Sequence, residues 1–265
     1  MLGFLKKRRK GRKVTLALGG GSARGLAHIG VLRVLEREKI AIDRIVGTSM
    51  GAMIGAAYSI GVPIKEMEDK AYGFSVNKLL DPTFRGMGLL VGNRLEANIR
   101  NLIDSKTFAD CKIPLSVVTT DIESGDEIVH QSGDLIKIVR ATCSWPGIFE
   151  PVRVGGRLLC DGGIKNSVPA KIARELTPDN YILAVDVGFC VRHGKMENIF
   201  QIILQSLQII GEELNKYQSG IADCAIKVDL PEIDQVAFNR SREVVVKGAE
   251  ATEAKIAQIK KDLRL

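Results

Sequence analysis

One short segment has the residue types and the spacing of a hydrolase nucleophile. It reads Gly47-Thr48-Ser49-Met50-Gly51 and lies between an apolar stretch and a run of small residues. A glycine–x–serine–x–glycine segment at a strand-to-helix junction makes a tight turn that lifts the serine out of the sheet. Gly47 and Gly51 let neighbouring chains approach closely. We therefore predict that Ser49 is a nucleophile; the alternative is an ordinary glycine turn in which Ser49 only caps the helix.

A second glycine-rich segment, residues 19–25, follows an apolar stretch and opens a predicted helix. Its backbone N–H groups are free to bind an anion. It lacks the Gly-Lys-Ser/Thr of a phosphate loop, and no acid ends a second strand at the distance that dinucleotide binding needs. Because a serine nucleophile is predicted elsewhere, an oxyanion hole is the better use of this loop. Arg24 adds positive charge there, and a structural ion pair is its alternative role.

The base that would activate Ser49 has more than one candidate. The chain has three histidines, His28, His130 and His193. No histidine follows His193 in the late part of the chain, where an ordinary Ser–His–Asp hydrolase has its base. A triad through His193 stays open. Asp161, followed by Gly162 and Gly163, ends an apolar strand and is expected to have little side-chain cover, although Asp-Gly is also a common turn. Cys160 is a further, weaker candidate nucleophile.

The elements that must position these residues alternate between strand and helix. Periodicity and breakers predict strands at 14–18, 42–46, 115–119, 127–130, 152–154, 157–159, 181–187 and 225–228. They predict helices at 26–39, 52–60, 65–73, 93–103, 135–143, 168–176, 198–217 and 242–263. We read residues 74–92 as a loop. This order predicts an α/β protein with a mainly parallel sheet covered on both faces, in one domain over residues 14–265.

The charge of the chain is concentrated in its first residues. Seven of the 38 basic residues fall within residues 6–13, and no acid lies among them. The remaining 31 basic residues balance the 31 acidic ones, so the folded body is not built as a nucleic-acid surface. We expect residues 1–13 to form a basic arm that touches anionic membrane.

The cysteines and the apolar runs indicate the compartment. Five cysteines have no zinc spacing, so we expect them to be reduced core residues. The N terminus does not have the order of a signal peptide, and no apolar run reaches the roughly 18 residues of a membrane span. We therefore predict a soluble, cytoplasmic protein that is peripheral to a membrane through its arm, with no cofactor and no metal. The oligomeric state is not given by the sequence.

Taken in order, these segments resemble the patatin-like phospholipase family, especially its compact bacterial members. Residues 16–28 resemble the glycine-rich oxyanion block of the family, residues 47–51 its nucleophile motif, and residues 161–163 its Asp-Gly-Gly/Ala motif. The likeness continues through residues 114–125, 141–152 and 166–169, and covers roughly residues 14–190. Each block is modestly specific, whereas all of them in order are highly specific.

This resemblance implies a three-layer α/β/α sandwich and a lipid acyl ester hydrolase. It implies that Ser49 is the nucleophile and Asp161 its base, without a catalytic histidine. It also implies that backbone amides of Gly20, Gly21 and Ser22 form the oxyanion hole, with Arg24 at the basic position. The substrates would be phospholipids, lysophospholipids or related esters. An acyltransferase, or a regulatory protein without activity on the same fold, remains an alternative.

Overall fold

The chain folds around one large sheet. A computed structural model describes residues 12–83, 86–189, 195–230 and 232–265. The strands are β1 (Val14–Leu18), β2 (Arg44–Thr48), β3 (Gly88–Leu90), β4 (Leu115–Asp121), β5 (Glu127–His130), β6 (Gly147–Phe149), β7 (Val152–Val154), β8 (Arg157–Asp161), β9 (Tyr181–Asp186) and β10 (Cys224–Lys227). All but β3 and β6 join the main sheet, and those two pair with each other.

The main sheet is parallel over most of its width. Its order is β10-β9-β1-β2-β4-β8-β7, with β5 also paired to β4. The pairings among β10, β9, β1, β2 and β4 are parallel, whereas β5, β8 and β7 join antiparallel. In the register of β1 and β2, Leu18 lies opposite Gly47. The two glycine-rich segments that follow these strands therefore leave the sheet at the same carboxyl edge.

Helices cover both faces of this sheet. They are α1 (Ala27–Arg37), α2 (Met50–Ile60), α3 (Ile64–Tyr72), α4 (Asn93–Ile103), α5 (Leu135–Thr142), α6 (Gly163–Asn166), α7 (Ala170–Leu176), α8 (Ile199–Ser219) and α9 (Ser241–Leu263). Leu16 and Leu18 of β1 point into the larger core with α1 and α9, while Ala17 points into the smaller core with α7. This alternation along a strand produces the three layers. The expected fold class is confirmed.

The predicted elements are present, with differences at the ends that matter for the site. β2 runs to Thr48 and α2 begins at Met50, so only Ser49 lies between them, whereas the pattern predicted a five-residue turn. The segment 74–92, expected to be a loop, contains the short strand β3. The backbone of β3 pairs with β6, a second short strand that the sequence pattern did not predict.

Two observations concern the surface of the molecule. Among the described residues, no helix is both long enough and apolar enough to cross a bilayer. The basic arm predicted at residues 1–13 lies outside the described residues except for Arg12 and Lys13. Arg12 lies 3.6 Å from Asp223 and Lys13 lies 3.9 Å from Asp43, and both contacts are exposed.

Candidate active site

The structure brings the two predicted catalytic side chains into direct contact. The hydroxyl of Ser49 donates a hydrogen bond to Oδ2 of Asp161 at 2.6 Å, although the two residues are 112 positions apart. Ser49 lies at the carboxyl end of β2 and Asp161 at the end of β8. Thr119 of β4 pairs with Asp161 and thereby fixes its level along the sheet. The contact thus depends on strand pairing.

The backbone at Ser49 is strained. Its φ of 53° and ψ of −126° are uncommon for a residue with a side chain. This geometry turns the chain from β2 into α2 within one residue, as in a nucleophile elbow. A side chain at Gly51 would collide with the carbonyl oxygens of Leu18 and Gly19. The glycine is therefore required where α2 crosses the end of β1.

A threonine that the sequence did not single out holds the elbow. The amide of Ser49 donates to Oγ1 of Thr142 at 2.9 Å, and the Thr142 hydroxyl donates to the carbonyl oxygen of Val118 at 2.5 Å. Thr142 thus connects the turn to β4. Its position at the end of α5, 93 residues from Ser49, gives no spacing signal. The resemblance included residues 141–152 without assigning a role to any of them.

Asp161 is buried, which corrects the expectation that it has little side-chain cover. Only 1% of the residue is exposed; the Ser49 hydroxyl and the Gly163 amide contact its carboxyl group, and its own amide donates to the carbonyl oxygen of Ser144. Burial raises the pKa of Asp161 to about 7, against the opposing effect of hydrogen bonds from the Ser49 hydroxyl and the Gly163 amide. A carboxylate with a normal pKa near 4 is a poor base for serine, and burial reduces that difficulty.

The predicted oxyanion loop lies beside Ser49, but its members differ in what they offer. The Gly20 amide already donates to the carbonyl oxygen of Ser167 at 2.9 Å. In the described part of the chain, the amides of Gly21 and Ser22 have no such acceptor. Gly20 is still close to the nucleophile, since a Cβ there would lie 3.3 Å from the Cβ of Ser49. Of the predicted set of three, the amides of Gly21 and Ser22 are therefore the ones available as donors, and the oxyanion hole stays a prediction.

Arg24 points away from the nucleophile. Its guanidinium is buried and donates to four backbone carbonyl oxygens, those of Val187, Gly188, Leu230 and Ile233. Arg24 is not among the residues that line the cavity at Ser49. Its contacts tie the end of the glycine-rich segment to the segment after β9 and to Leu230 and Ile233. This placement fits a structural role, which the sequence left open, better than direct contact with an oxyanion.

The histidines do not approach the dyad where the structure describes them. His28 is buried, and its Nε2 donates to the carbonyl oxygen of Gly19 at 2.7 Å; burial lowers its pKa to about 4. His130 is half-buried on β5, and its Nε2 lies 2.8 Å from the hydroxyl oxygen of Thr119. Neither residue lines the cavity. The alternative triad through His193 falls outside the described residues and stays untested.

The cysteines give no second nucleophile among the residues described. The four cysteines in this part of the chain are free thiols. Burial, with smaller contributions from Asp161 and Asp121, raises the pKa of Cys160 to about 12, so its thiol stays protonated at neutral pH. Burial also raises the pKa of Cys143, which lines the cavity next to the dyad. The described residues contain no cluster of three or more His, Cys, Asp or Glu side chains suited to a metal ion.

A cavity of about 750 Å³ opens above the dyad. We call Gly20, Gly21, Ser49 and Asp161 its floor and helix α8, which contributes Leu204 to the lining, its outer wall. The lining is mostly apolar and comes from segments distant in the sequence. It includes Met53, Leu80, Leu90, Trp145, Ile148, Phe149, Phe189 and Leu204. A second apolar cavity of about 300 Å³ lies beside it, with Met50, Met53, Leu79, Leu95 and Phe238 common to both linings.

Comparison with known proteins identifies a family that matches this chain. The family described as "Patatin-like phospholipase" matches residues 16–174, which include Ser49 and Asp161.

The chain belongs to the patatin-like phospholipase family.

Two patatin-like or NTE family relatives align with about two thirds of this chain. Patatin-like phospholipase domain-containing protein 6 of Mus musculus is 35% identical over 186 residues, which are 67% of this chain and 14% of that protein. An NTE family protein of Mycobacterium bovis is 34% identical over 187 residues, 70% of this chain and 32% of that protein. The chain thus spans from about a seventh to a third of the length of these relatives.

The fold also has solved counterparts. The crystal structure of VipD from Legionella pneumophila superimposes with a TM-score of 0.63, at 16% sequence identity. The match covers 94% of this chain and 67% of that one. At this identity the likeness shows the fold alone, and it extends well beyond the residues that the family description matches.

Proposed function

We propose that this patatin-like protein is a lipid acyl ester hydrolase that works through Ser49 and Asp161. The observation that carries the proposal is the 2.6 Å hydrogen bond from Ser49 to Asp161 at the floor of a large, mostly apolar cavity. A cavity of several hundred Å³ has the size of a small-molecule site, and an apolar lining suits an acyl chain. Membership in the family supports lipid esters as the substrate class.

The first half of the reaction forms an acyl-enzyme. Oδ2 of Asp161 takes the proton of the Ser49 hydroxyl as the serine oxygen attacks the ester carbonyl carbon. The amides of Gly21 and Ser22 donate to the oxygen that becomes negative, and the amino end of α2 adds a favourable field. The tetrahedral intermediate then collapses. Its ester C–O bond breaks, and the leaving alcohol oxygen receives the proton from Asp161.

The second half releases the acyl group. Asp161 takes a proton from water as the water oxygen attacks the acyl-serine carbonyl, and the same amides donate hydrogen bonds to the oxygen that becomes negative. The C–O bond to Ser49 breaks, the proton returns to the serine oxygen, and a fatty acid leaves. Burial of Asp161 serves both halves, because a pKa near 7 lets the group take and return a proton at neutral pH.

A panel of lipid classes tests the proposal directly. Purified protein is incubated with diacyl phospholipid, lysophospholipid, triacylglycerol and a soluble short-chain ester, with Ser49→Ala as the matched control. We expect free fatty acid from at least one lipid class with the native chain and none above background with Ser49→Ala. Transfer of the acyl group to an alcohol acceptor in place of water would favour the acyltransferase alternative. No turnover of any ester would favour the regulatory alternative.

The basic arm completes the proposal. Residues 1–13 place seven cations behind an apolar tip, and such an arm fits contact with anionic lipid at a cytoplasmic membrane face. Each basic residue near such a surface contributes about 1 kcal/mol at low salt. The arm therefore adds a reversible electrostatic contact to a protein whose substrate would lie in the membrane.

A further inference from the structure

Helix α8 exposes its apolar side to solvent. Five isoleucines are 48% to 75% exposed on this helix, and we call them the isoleucine face: Ile199, Ile202, Ile203, Ile209 and Ile210. Residues spaced by three, four, seven or eleven positions share one side of a helix, so these five form a single stripe. An ordinary surface helix turns such a stripe toward the core. Here it faces outward.

The opposite side of the same helix lines the cavity. Gln201, Leu204, Gln205 and Gln208 of α8 form part of the cavity lining. α8 is therefore a wall with amide side chains toward the active site and isoleucines away from it. No described helix contains an 18-residue stretch apolar enough to span a membrane. A helix with one apolar and one polar side, as α8 has, is suited to lie along a surface.

The cavity mouth also has exposed apolar side chains. Leu80, Leu89 and Val236 line the cavity and are also 45%, 53% and 60% exposed, so they lie at its rim. They come from two segments remote from α8 in the sequence. Exposed apolar side chains at a cavity mouth mark a contact surface. The isoleucine face itself extends about 16 Å along α8, from Ile199 to Ile210.

Charge distinguishes this surface from the other long helix. Residues 199–210 contain no charged side chain. The outer side of α9 carries ion pairs instead, for example between Lys247 and Glu250 and between Glu243 and Arg240, which directly precedes the helix. α9 thus presents charges to water, whereas residues 199–210 of α8 present none. A protein partner seated on the rim would close the mouth, while a lipid layer would supply the substrate through it.

We propose that the isoleucine face of α8, together with Leu80, Leu89 and Val236, is the surface by which the protein docks on a lipid bilayer. α8 lies in the interface with its isoleucines among the acyl chains and the cavity mouth against the lipid. A lipid then passes from the bilayer to Ser49 without crossing water. This assignment rests on the proposed function, since that function supplies the reason for a lipid at the mouth.

Vesicle binding by two matched variants tests the surface. The first, Ile202→Gln/Ile203→Gln/Ile210→Gln, changes the isoleucine face. The control, Leu176→Gln/Val246→Gln/Leu265→Gln, changes three exposed apolar side chains that line no part of the cavity. Co-flotation uses neutral phosphatidylcholine vesicles in about 0.5 M salt, which suppresses the contribution of the basic arm. Circular dichroism and thermal melting establish that both variants are folded.

We expect the α8 variant to lose at least about tenfold in vesicle affinity and the control to stay within about twofold of the native chain. Hydrolysis of vesicle lipid falls with binding in the α8 variant, while turnover of a soluble short-chain ester is unchanged in both. Equal vesicle binding by the native chain and the α8 variant overturns the assignment, as does a native chain that does not bind neutral vesicles.

Two further measurements separate this inference from its alternatives. Sedimentation without lipid that finds a dimer in the native chain and a monomer in the α8 variant assigns the face to a second copy and overturns the docking surface. Binding of Ser49→Ala to vesicles tests docking without turnover. A native chain that binds vesicles through α8 but hydrolyses no ester leaves docking intact and refutes the proposed function.

Discussion

At the floor of the cavity the chain buries a carboxyl group, whereas at the outer wall it exposes isoleucines. Asp161 is 1% exposed, and Ile199 on α8 is 75% exposed. Each arrangement costs stability by itself, because burial disfavours a charge and water disfavours an apolar stripe. Stability alone would have favoured the reverse. The difference fits the proposed function, in which an ester reaches the floor, and the proposed docking of α8 on a lipid layer.

The strongest way to break this comparison is to remove the groups at the floor. We expect Ser49→Ala and Asp161→Asn each to lower kcat/KM for an ester by about 10⁴-fold or more while the protein stays folded. The two act as a unit, so the double variant should lose little more than either single variant. Activity with a soluble ester measures this. An Asp161→Asn protein with a tenth of native turnover would refute the dyad.

The next effect concerns the support of the floor. Arg24→Met leaves four buried carbonyl oxygens without their donor, so we expect a loss of about 3 kcal/mol in the free energy of unfolding. Arg153→Met is the matched control, because Arg153 forms an exposed ion pair with Glu123 worth at most about 1 kcal/mol. Urea unfolding compares the two. Equal losses would show that Arg24 does not hold the loop.

A third effect follows from the pKa of Asp161 near 7. The ionised carboxylate is the base, so kcat/KM for a soluble ester should fall about tenfold for each pH unit below about 7 and level off above it. A profile that is flat between about pH 5 and 8 would mean that Asp161 ionises normally. Measurement on a soluble ester avoids any effect of pH on vesicle binding.

The same pKa gives a stability signature. The folded chain holds the Asp161 proton more tightly than the unfolded chain, whose pKa is near 4, so this group makes the protein less stable as pH rises from about 4 to about 7. Asp161→Asn cannot ionise. Its Tm relative to the native chain should therefore increase between about pH 5 and pH 8, and a constant difference would contradict the raised pKa.

A smaller effect is expected from the histidines. His130→Ala and His193→Ala should each keep kcat/KM within about tenfold of the native value, or about 1.4 kcal/mol of barrier. His130 contacts Thr119 and lies outside the cavity lining. The prediction for His193 rests on the sequence alone. A loss of several orders of magnitude in either variant would indicate a triad.

The smallest effect on catalysis is expected from the arm. Deletion of residues 1–13 should weaken binding to anionic vesicles at low salt by at least about tenfold and leave turnover of a soluble ester unchanged. High salt should remove the difference, since the arm acts through charge and α8 through apolar contact. Equal binding with and without the arm at low salt would rule out this contact and would leave the isoleucine face of α8 as the membrane-binding surface.

Much of the floor was predictable from the sequence, and most of the wall was not. Ser49 lies in a short motif whose residue types and placement predict a nucleophile, whereas the resemblance to the family singled out Asp161 from several candidate bases. Thr142 and the carbonyl partners of Arg24 are set by tertiary contacts between remote segments, which no local pattern reports. The periodicity of residues 198–217 predicted a helix, but an apolar stripe ordinarily faces the core, so the pattern did not predict the exposure of the isoleucines on α8.

The most direct measurement of the central claim is active-site labelling with a fluorophosphonate, followed by intact mass and peptide mapping. The native chain should gain one adduct, on the peptide that contains Ser49. Ser49→Ala should gain none, and Asp161→Asn should label at least about a hundredfold more slowly because its serine has lost its base. An adduct on another residue, or labelling of Asp161→Asn at the native rate, would contradict a nucleophile activated by Asp161.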